Sequence, residues 1–190
     1  MNVYDFDGTI YNGDSSIDFY IYALTHQPQL MFYVPKQILG FILYALKRID
    51  KTRLKEYFFC FLKGIDTEKL VDSFWQRNKN NVFSWYLNQQ KDDDIVISAS
   101  PKFLVEPICK SLGINCIIAS EVNQETGMFI SENCRGQEKV KRLEKEYNIH
   151  HIDNFYSDSF SDMPLMEIAD HAFIVKEGIV SEYKNPNPHK

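Results

Sequence analysis

The fold of this 190-residue chain is decided near its start, by Asn2-Val3-Tyr4-Asp5-Phe6-Asp7-Gly8-Thr9. Val, Tyr and Phe favour a strand over residues 2–6, and two carboxylates stand where that strand ends. Gly8 permits a tight turn and leaves bare main chain beside a ligand. Taken alone, the stretch is equally compatible with an Asp-Gly turn that only closes a strand.

Further short strands are predicted downstream, separated by helical patterns. The predicted strands are residues 94–98, 116–120, 152–157 and 171–175, and the predicted helices are 102–112, 138–147 and 164–169. Strands that alternate with helices form a parallel sheet covered by helices, so the fold class is α/β with a Rossmann-like core. Residues 121–131, with Gly127 at their middle, predict an appended hairpin.

The stretch between the first two strands is aromatic and helical in period. We expect helices over residues 16–25, 30–48, 52–62 and 67–88, with no strand among them. An insertion after the first strand lies above the carboxyl ends of the strands, where open α/β sheets bind ligands. The predicted domains are therefore a core of residues 1–13 and 91–190 and an all-helical cap of residues 14–90. Residues 185–190 predict a frayed tail.

Three more polar groups follow predicted strands or begin the next helix. Ser98-Ala99-Ser100 ends the second strand, where hydroxyl and N–H groups can meet an anion or simply cap a helix. Lys139 lies in the first turn of a helix, a poor position for a cation unless an anion is near. Asp158 and Asp162 are four residues apart, as on one face of a helical turn, although Asp162 is also a plausible helix cap.

These groups gather at one edge of one sheet, which a set of unrelated turns and caps does not explain. Two carboxylates 4 Å apart repel by about 4 kcal/mol at an effective dielectric of about 20. Carboxylate and carbonyl oxygens suit Mg²⁺, which is commonly bound by one or two carboxylates together with substrate phosphate. The sequence therefore predicts a Mg²⁺ cofactor and a phosphorylated substrate.

The four groups resemble the ordered motifs of haloacid dehalogenase (HAD) superfamily hydrolases. The helical insertion resembles the cap of subfamily IB, the phosphoserine phosphatase-like branch. Within it, residues 136–144 and 156–165 are most similar to phosphatidylglycerophosphatase C-like proteins. The resemblance implies a HAD core and a phosphatase in which Asp5 is the nucleophile and Asp7 the general acid and base.

The same resemblance assigns the remaining roles. Ser98 and Lys139 would hold the phosphoryl oxygens, and Asp162 would support Lys139 or the surroundings of the metal. Asp5, the Asp7 main-chain carbonyl and Asp158 would hold Mg²⁺. Where many relatives have Gly before that last Asp, this chain has Ser157, which adds bulk near the metal.

Four residues are candidates for contact with the substrate. Gly8 and Ala99 would offer main chain beside it. Asp14 resembles an acidic residue that contacts a substrate amine, although it also suits a helix cap. Arg53 resembles a cap arginine that grips a substrate carboxylate or second phosphate, although a solvated helix residue explains it as well.

The net charge of −5 disfavours nucleic acid as a partner, because phosphate backbones are bound by clustered Lys and Arg. The four cysteines form no metal-binding pattern and suit a reducing compartment. The chain shows no signal peptide, so we expect a cytoplasmic protein. Its longest apolar run, 38–46, is shorter than the roughly 20 residues of a membrane span. The sequence indicates no oligomeric state.

Three functions remain open at this stage. The first is a phosphatase of a small soluble metabolite, and the second is a lipid-headgroup phosphatase that touches the inner face of a membrane through its cap. The third is a catalytically silent module that only keeps the fold. The first two functions require different positions for eight apolar cap residues. We expect these residues to form the core of the cap, but they can instead form an apolar face at a membrane interface. They are Phe32, Tyr33, Ile38, Leu39, Phe41, Ile42, Leu43 and Tyr44.

Overall fold

A six-stranded sheet organises the protein in this computed structural model, which describes residues 1–184. The strand order is β3-β2-β1-β4-β5-β6, with β1 to β5 parallel and β6 antiparallel at one edge. The α/β class is thereby confirmed, and the first strand lies inside the sheet, between β2 and β4. The strands are β1 (Asn2–Tyr4), β2 (Ile95–Pro101), β3 (Cys116–Ser120), β4 (Ile152–Ser157), β5 (Ala169–Lys176) and β6 (Ile179–Tyr183).

Eight α-helices surround this sheet in the described part of the chain. Five of them, together with three short 3₁₀ segments, lie between β1 and β2, where the sequence predicts only helices. The helices are α1 (Ser15–His26), α2 (Val34–Ala45), α3 (Lys51–Phe58), α4 (Thr67–Asn78), α5 (Ser84–Gln89), α6 (Lys102–Ser111), α7 (Gln137–Tyr147) and α8 (Met163–Met166).

Two of the long predicted helices are wrong in continuity. Residues 30–48 divide into a 3₁₀ helix, Pro28–Tyr33, and α2, because Pro35 occupies the start of a new helix, where a missing N–H costs nothing. Residues 67–88 divide after Asn78, where a 3₁₀ turn and an extended Val82 precede α5. Helical periodicity in the sequence does not reveal such breaks, because apolar residues continue at helical spacing on both sides of each one.

The sequence missed β6 and overstated the hairpin at residues 121–131. β6 pairs with β5 after a turn in which Glu177 and Gly178 both have positive φ, and its side chains are mostly exposed, so it lacks the apolar signature of a strand. Residues 121–131 form only one antiparallel bridge, Val122–Phe129. A Cβ at Gly127 would overlap the Phe59 carbonyl, so this loop packs directly on the helical region.

The helices between β1 and β2 fall into two groups by what they pack against. Phe19 of α1 and Phe74 of α4 share one hydrophobic cluster with Phe6 and with Val96 of the sheet. By contrast, α2 packs mainly on α3 and on the preceding 3₁₀ helix. The proposed division at residues 14–90 stays a prediction, while the hydrophobic core runs across it without a break.

Most of the apolar residues of α2 and of the 3₁₀ helix before it are not core, so the expectation that they are is wrong. Phe32 is 88% exposed, and Ile38, Leu39, Phe41 and Ile42 are each about half exposed. Within residues 1–184, none of the helices combines the length and the apolar character that crossing a bilayer requires.

Candidate active site

Lys139 joins two carboxylates at the carboxyl edge of the sheet. Its ammonium lies 2.9 Å from Asp5 Oδ1 and 2.8 Å from Asp162 Oδ2, and the whole residue is 1% exposed. Burial lowers the pKa of Lys139, but the two carboxylates outweigh that cost and the pKa rises. The structure thus supplies the anions that a cation in the first turn of α7 requires.

Asp5 follows β1 directly, and its backbone N–H donates to the Tyr156 carbonyl of β4 at 2.9 Å. This bond ties the residue to the neighbouring strand. Burial raises the pKa of Asp5 above its ordinary value, the Lys139 ammonium opposes that rise, and Asp162 adds to it. Asp5 therefore carries a carboxylate that is poorly solvated and faces a fixed cation.

Ser157 stabilises the other side of this network. Its hydroxyl donates to Asp162 Oδ2 at 2.9 Å, and the residue is fully buried. The residue that replaces Gly before Asp158 therefore fixes the carboxylate behind Lys139. The sequence predicts only added bulk at this position, because the partner lies five residues away in a turn.

Asp7 has a different environment from Asp5. One carboxylate oxygen accepts the Ser15 N–H at 2.7 Å, and the other accepts the Ser100 hydroxyl at 2.5 Å. Burial raises the pKa of Asp7 to about 6, Asp14 adds to the rise, and the two hydrogen bonds reduce it. A carboxyl group with such a pKa can give and take a proton near neutrality.

The two serines at the end of β2 have separate positions. Ser98 is fully buried and its hydroxyl accepts the Ser100 N–H at 3.0 Å, whereas Ser100 reaches Asp7. Neither caps α6, which begins after Pro101 without a side-chain cap. Sequence reasoning missed Ser100 as a partner of Asp7, because the contact joins the end of β2 to the turn after the neighbouring strand β1.

Gly8 makes room for Asp158. Gly8 has a φ of +70°, and a Cβ there would lie 2.5 Å from Asp158 Oδ2. The carboxylate thus lies against the turn that follows Asp7. Burial raises the pKa of Asp158, and Lys176, whose ammonium donates to the Asp158 carbonyl, opposes the rise.

The donor set at this turn fits Mg²⁺. No three His, Cys, Asp or Glu side chains among residues 1–184 converge as a metal cluster. A cation here would instead rely on the carboxylates of Asp5 and Asp158, the Asp7 carbonyl, water and phosphate. Few protein ligands and retained waters are typical of Mg²⁺ and not of Zn²⁺.

One cavity of about 500 Å³ is lined by Asp5, Asp7, Gly8, Ser100, Lys139, Asp158 and Asp162, but not by Ser98. Asp14 lies at its wall and also caps α1, accepting the N–H groups of Ser16 and Ile17 at 3.0 and 3.1 Å. The cap interpretation of Asp14 is thereby confirmed, and its contact with a substrate amine stays a prediction. Ala99 lies at the wall as well, but its carbonyl accepts from the Lys55 ammonium at 2.7 Å.

Arg53 does not line this cavity, so its contact with the substrate stays a prediction. Its guanidinium bonds Glu56 at 2.5 Å, and its side chain is 51% exposed. In α3, Lys51 and Lys55 are four residues apart and share the face toward the cavity, whereas a residue midway between them points away. The sequence predicted that α3 contributes Arg53 to the site, whereas the cations of α3 that line the cavity are Lys51 and Lys55.

A third cation, Arg135, comes from the loop before α7 and lines the same cavity as Lys51 and Lys55. Burial lowers the pKa of Lys55 to about 8, with Asp14 and Asp7 opposing and Lys51 adding to the fall. The spacing of Lys51 and Lys55 is the signal that sequence reasoning overlooked. These three side chains place positive charge opposite the carboxylates of the sheet edge.

A mostly parallel α/β sheet with a carboxylate-rich carboxyl edge is what the fold and the site show. The chain belongs to the haloacid dehalogenase-like hydrolase family, since the sequence profile of that family matches residues 3–167. Over 91 residues the chain is 32% identical to the Mycobacterium tuberculosis H37Rv protein "Probable phosphatase Rv3661". The match covers 44% of this chain and 31% of that protein, so the chain spans about a third of the length of the curated relatives it matches.

Solved structures share the fold at low identity. A protein of unknown function from Bordetella pertussis Tohama I superposes with a TM-score of 0.74 at 15% identity, over 90% of this chain and 87% of that one. A phosphoserine phosphatase, solved as a phospho-aspartyl intermediate analogue, gives a TM-score of 0.59 at 17% identity, over 90% of this chain and 83% of that one. The expected HAD core is thereby confirmed.

Proposed function

We propose that this protein is a Mg²⁺-dependent phosphatase that hydrolyses a phosphate monoester through an aspartyl-phosphate on Asp5. One observation carries the proposal: Asp5 and Asp7 are neighbours in opposite environments. Asp5 faces the Lys139 ammonium, while Asp7 accepts two neutral hydrogen bonds and has a pKa of about 6. When the surroundings of two neighbouring carboxyl groups give them different proton affinities, one can act as the nucleophile and the other as the acid.

The proposed reaction has two balanced steps. A carboxylate oxygen of Asp5 forms a bond to phosphorus as the ester P–O bond breaks, and Asp7 gives its proton to the departing alkoxide. Asp7 then accepts a proton from the water that attacks the phosphorus of the aspartyl-phosphate. The acyl-phosphate P–O bond breaks, which releases inorganic phosphate and restores the carboxylate of Asp5.

Lys139 and the metal would neutralise the charge of the transferring group. The Lys139 ammonium bonds Asp5 in the structure and would also bond the phosphoryl oxygens once substrate binds. Its ion pair with Asp162 holds it in position for both contacts. Mg²⁺, held by Asp5, Asp158 and the Asp7 carbonyl, would offset phosphate charge when bound. Ser98 stays a candidate for phosphoryl contact through its buried hydroxyl.

Several findings favour an active phosphatase over a catalytically silent module or a dehalogenase. Each motif residue that the HAD resemblance requires is present, which disfavours a silent module. A dehalogenase of the family has no acid two residues after its nucleophile, whereas this chain has Asp7. The fold is shared with a phosphoserine phosphatase whose structure represents a phospho-aspartyl intermediate. A probable phosphatase is also among the sequence relatives.

A small metabolite and a lipid headgroup are both candidate substrates. A cavity of about 500 Å³ is large enough for a phosphorylated metabolite. The second candidate is favoured by the exposed apolar residues of α2 and of the 3₁₀ helix before it, such as Phe32 at 88%. A screen of soluble and lipid phosphates with the purified protein separates the two.

Metal dependence and the identity of the nucleophile are the first tests. Hydrolysis of p-nitrophenyl phosphate is expected with Mg²⁺, to disappear with excess EDTA and to return when Mg²⁺ is restored. Asp5→Asn should abolish turnover, because an amide cannot attack phosphorus, while the exposed control Asp153→Asn should retain it. Full activity in EDTA would remove the metal from the proposal, and a phosphoenzyme trapped on another residue would remove Asp5.

A further inference from the structure

Helix α2 packs through a polar residue and a glycine and exposes its large apolar side chains to solvent. Its inward residues are Gln37 and Gly40, the only two buried positions of the helix. The Gln37 amide accepts the Tyr20 hydroxyl and donates to the Phe58 carbonyl at 2.9 Å, and a Cβ at Gly40 would overlap Tyr57. An amide and a glycine thus form the packed side of the helix, and the large apolar side chains lie on the other.

Those apolar side chains form one exposed surface with the preceding 3₁₀ helix, here called the 31–46 face. Exposed hydrophobic surface on this scale and confined to one short segment is uncommon on a monomer and marks a contact site. Its members are Met31, Phe32, Ile38, Leu39, Phe41, Ile42, Tyr44 and Leu46, each more than 40% exposed.

The charge around the 31–46 face is opposite to that of the whole protein. Between Asp18 and Asp50 the chain contains no Asp or Glu, while Lys36, Lys47 and Arg48 fall inside this interval and are exposed. The whole chain carries a net charge of −5. Asp50 lies beside Lys47 and Arg48, and Glu56 lies beside Lys36, where it is paired with Arg53. An apolar surface on a segment that carries only cations is complementary to a bilayer with anionic headgroups.

The length of α2 indicates contact with a surface. Its 12 residues extend about 18 Å, well short of the roughly 30 Å of a hydrocarbon core. A helix of this size with an apolar face lies in the plane of the headgroups. The remainder of the fold would then stay in water.

Two grooves lie between the 31–46 face and the active site, and each shares lining residues with the next. The first, about 580 Å³, lies at the turn after α2 and is lined by Lys47, Arg48 and Asp50, among others. The second, about 490 Å³, shares Asp50 with the first and shares Lys51 and Arg135 with the catalytic cavity.

The cations along this path outnumber the acids. Asp50 caps α3 by accepting the Arg53 N–H at 2.7 Å, and Glu132 also lines the second groove. Neither carboxylate lies within 4 Å of a cationic side chain in the described structure. A phosphate group that travels along the grooves therefore meets positive charge before it reaches Asp5.

We propose that the 31–46 face docks on an anionic membrane surface and that the phosphate monoester is carried by a lipid, whose headgroup reaches Asp5 along these grooves. The lipid-borne substrate rests on the proposed phosphatase function, whereas the docking of the face does not.

A second copy of the chain fits this face poorly. In a two-fold dimer the same patch meets itself, so Lys36, Lys47 and Arg48 of each copy would approach the same cations of the other. No acidic residue in this part of the chain offsets that repulsion. An anionic bilayer receives both the apolar and the basic side chains favourably.

Vesicle flotation of the full chain tests the docking. The wild type should float with vesicles of phosphatidylcholine containing roughly one-third phosphatidylglycerol, and less with phosphatidylcholine alone. The double variant Phe32→Ser/Phe41→Ser should lose about tenfold in partitioning. Lys36→Glu/Lys47→Glu should lose the preference for anionic vesicles. The control Ile179→Ser removes an apolar residue that is 72% exposed on β6 and should bind as the wild type does.

Hydrolysis measurements test the source of the phosphate. The wild type should cleave phosphatidic acid in vesicles with a higher kcat/KM than glycerol 3-phosphate. Phe32→Ser/Phe41→Ser should lose this advantage while keeping its rate on p-nitrophenyl phosphate, since neither residue lines the catalytic cavity. Faster cleavage of glycerol 3-phosphate by the wild type would overturn the lipid-borne substrate.

The docking fails under two results. Equal flotation of the wild type and Phe32→Ser/Phe41→Ser would remove the face from membrane contact. A concentration-dependent dimer in sedimentation, lost in that variant and without flotation of the wild type, would assign the face to a second copy. Absence of aryl phosphatase activity in a protein that still floats would overturn the phosphatase and leave the docking standing.

Discussion

The edge of the sheet and the α2–α3 hairpin differ in how their charges are satisfied. At the sheet edge, Lys139 bonds both Asp5 and Asp162, and Ser157 bonds Asp162 in turn. In the hairpin, Lys51 and Lys55 face the cavity without an acidic partner within 4 Å in the described structure. One region is complete without a ligand, and the other offers charge that a ligand would satisfy.

This difference assigns separate tasks to the two regions. Groups that must stabilise a transition state act best when they are fixed before the substrate arrives, as at the sheet edge. Groups that select a substrate gain by being left unpaired until it binds. The chemistry is therefore expected to depend on the sheet edge, and the choice and location of the substrate on the hairpin.

Among variants that keep the nucleophile, Asp7→Asn should have the largest effect on turnover. Without its acid and base the enzyme should slow by about 10²–10⁴-fold. p-Nitrophenol is a good leaving group and needs little protonation, so the variant should release about one equivalent in a burst before the slow phase. Rapid-quench kinetics measure this burst. A normal steady-state rate would contradict the assigned role.

Gly8→Ala tests whether the sheet edge depends on close approach of Asp158. The new Cβ would displace the Asp158 carboxylate and impose a strained φ, so the Mg²⁺ concentration for half-maximal activity should rise about tenfold or more. Gly113→Ala is the matched control, because Gly113 also has positive φ but its Cβ would meet only Gln90 at 3.7 Å. Equal changes in both variants would reduce the effect to backbone strain.

The free energy of unfolding of the metal-free protein should depend on pH through Asp7, because burial disfavours the ionised carboxylate. Its pKa rises from 3.8 to about 6 on folding, so its contribution to stability is present below pH 3.8 and is lost as pH rises through 6. In Asp7→Asn the amide oxygen can still accept the Ser15 N–H, and the amide NH2 can donate to the Ser100 hydroxyl, without the charge. Asp7→Asn should therefore unfold at a free energy about 3 kcal/mol higher than the wild type at pH 8, with no gain at pH 4. Denaturant titration at both pH values measures the difference, and a gain independent of pH would contradict the assignment.

The smallest expected effect separates two cations of α3. Lys55→Met should lower kcat/KM for an aryl phosphate about tenfold, since Lys55 carries charge into the cavity, equivalent to about 1.4 kcal/mol. Arg53→Met should change it less than about twofold, because an exposed ion pair is worth little. A larger loss in Arg53→Met would support the sequence-based prediction and place substrate contact on the other face of the helix.

The residue pattern alone was enough to predict the five parallel strands, their carboxyl edge and the acidic residues there. Parallel strands all end on the same side, so the spacing of Asp5, Asp7, Asp158 and Asp162 between strands and helices was enough to predict their convergence. Lys139 was predictable because a cation at the start of a helix requires a nearby anion.

Only the tertiary structure decided which side of each helix faces the active site and which faces water. The 3.6-residue period indicates that α2 has an apolar face but not that the face is exposed, because burial is settled by the partners, here Tyr57 and the Phe58 carbonyl. The same limit led to Arg53 in place of Lys55. Contacts such as Ser100 with Asp7 join residues 93 apart, and local sequence carries no signal of them.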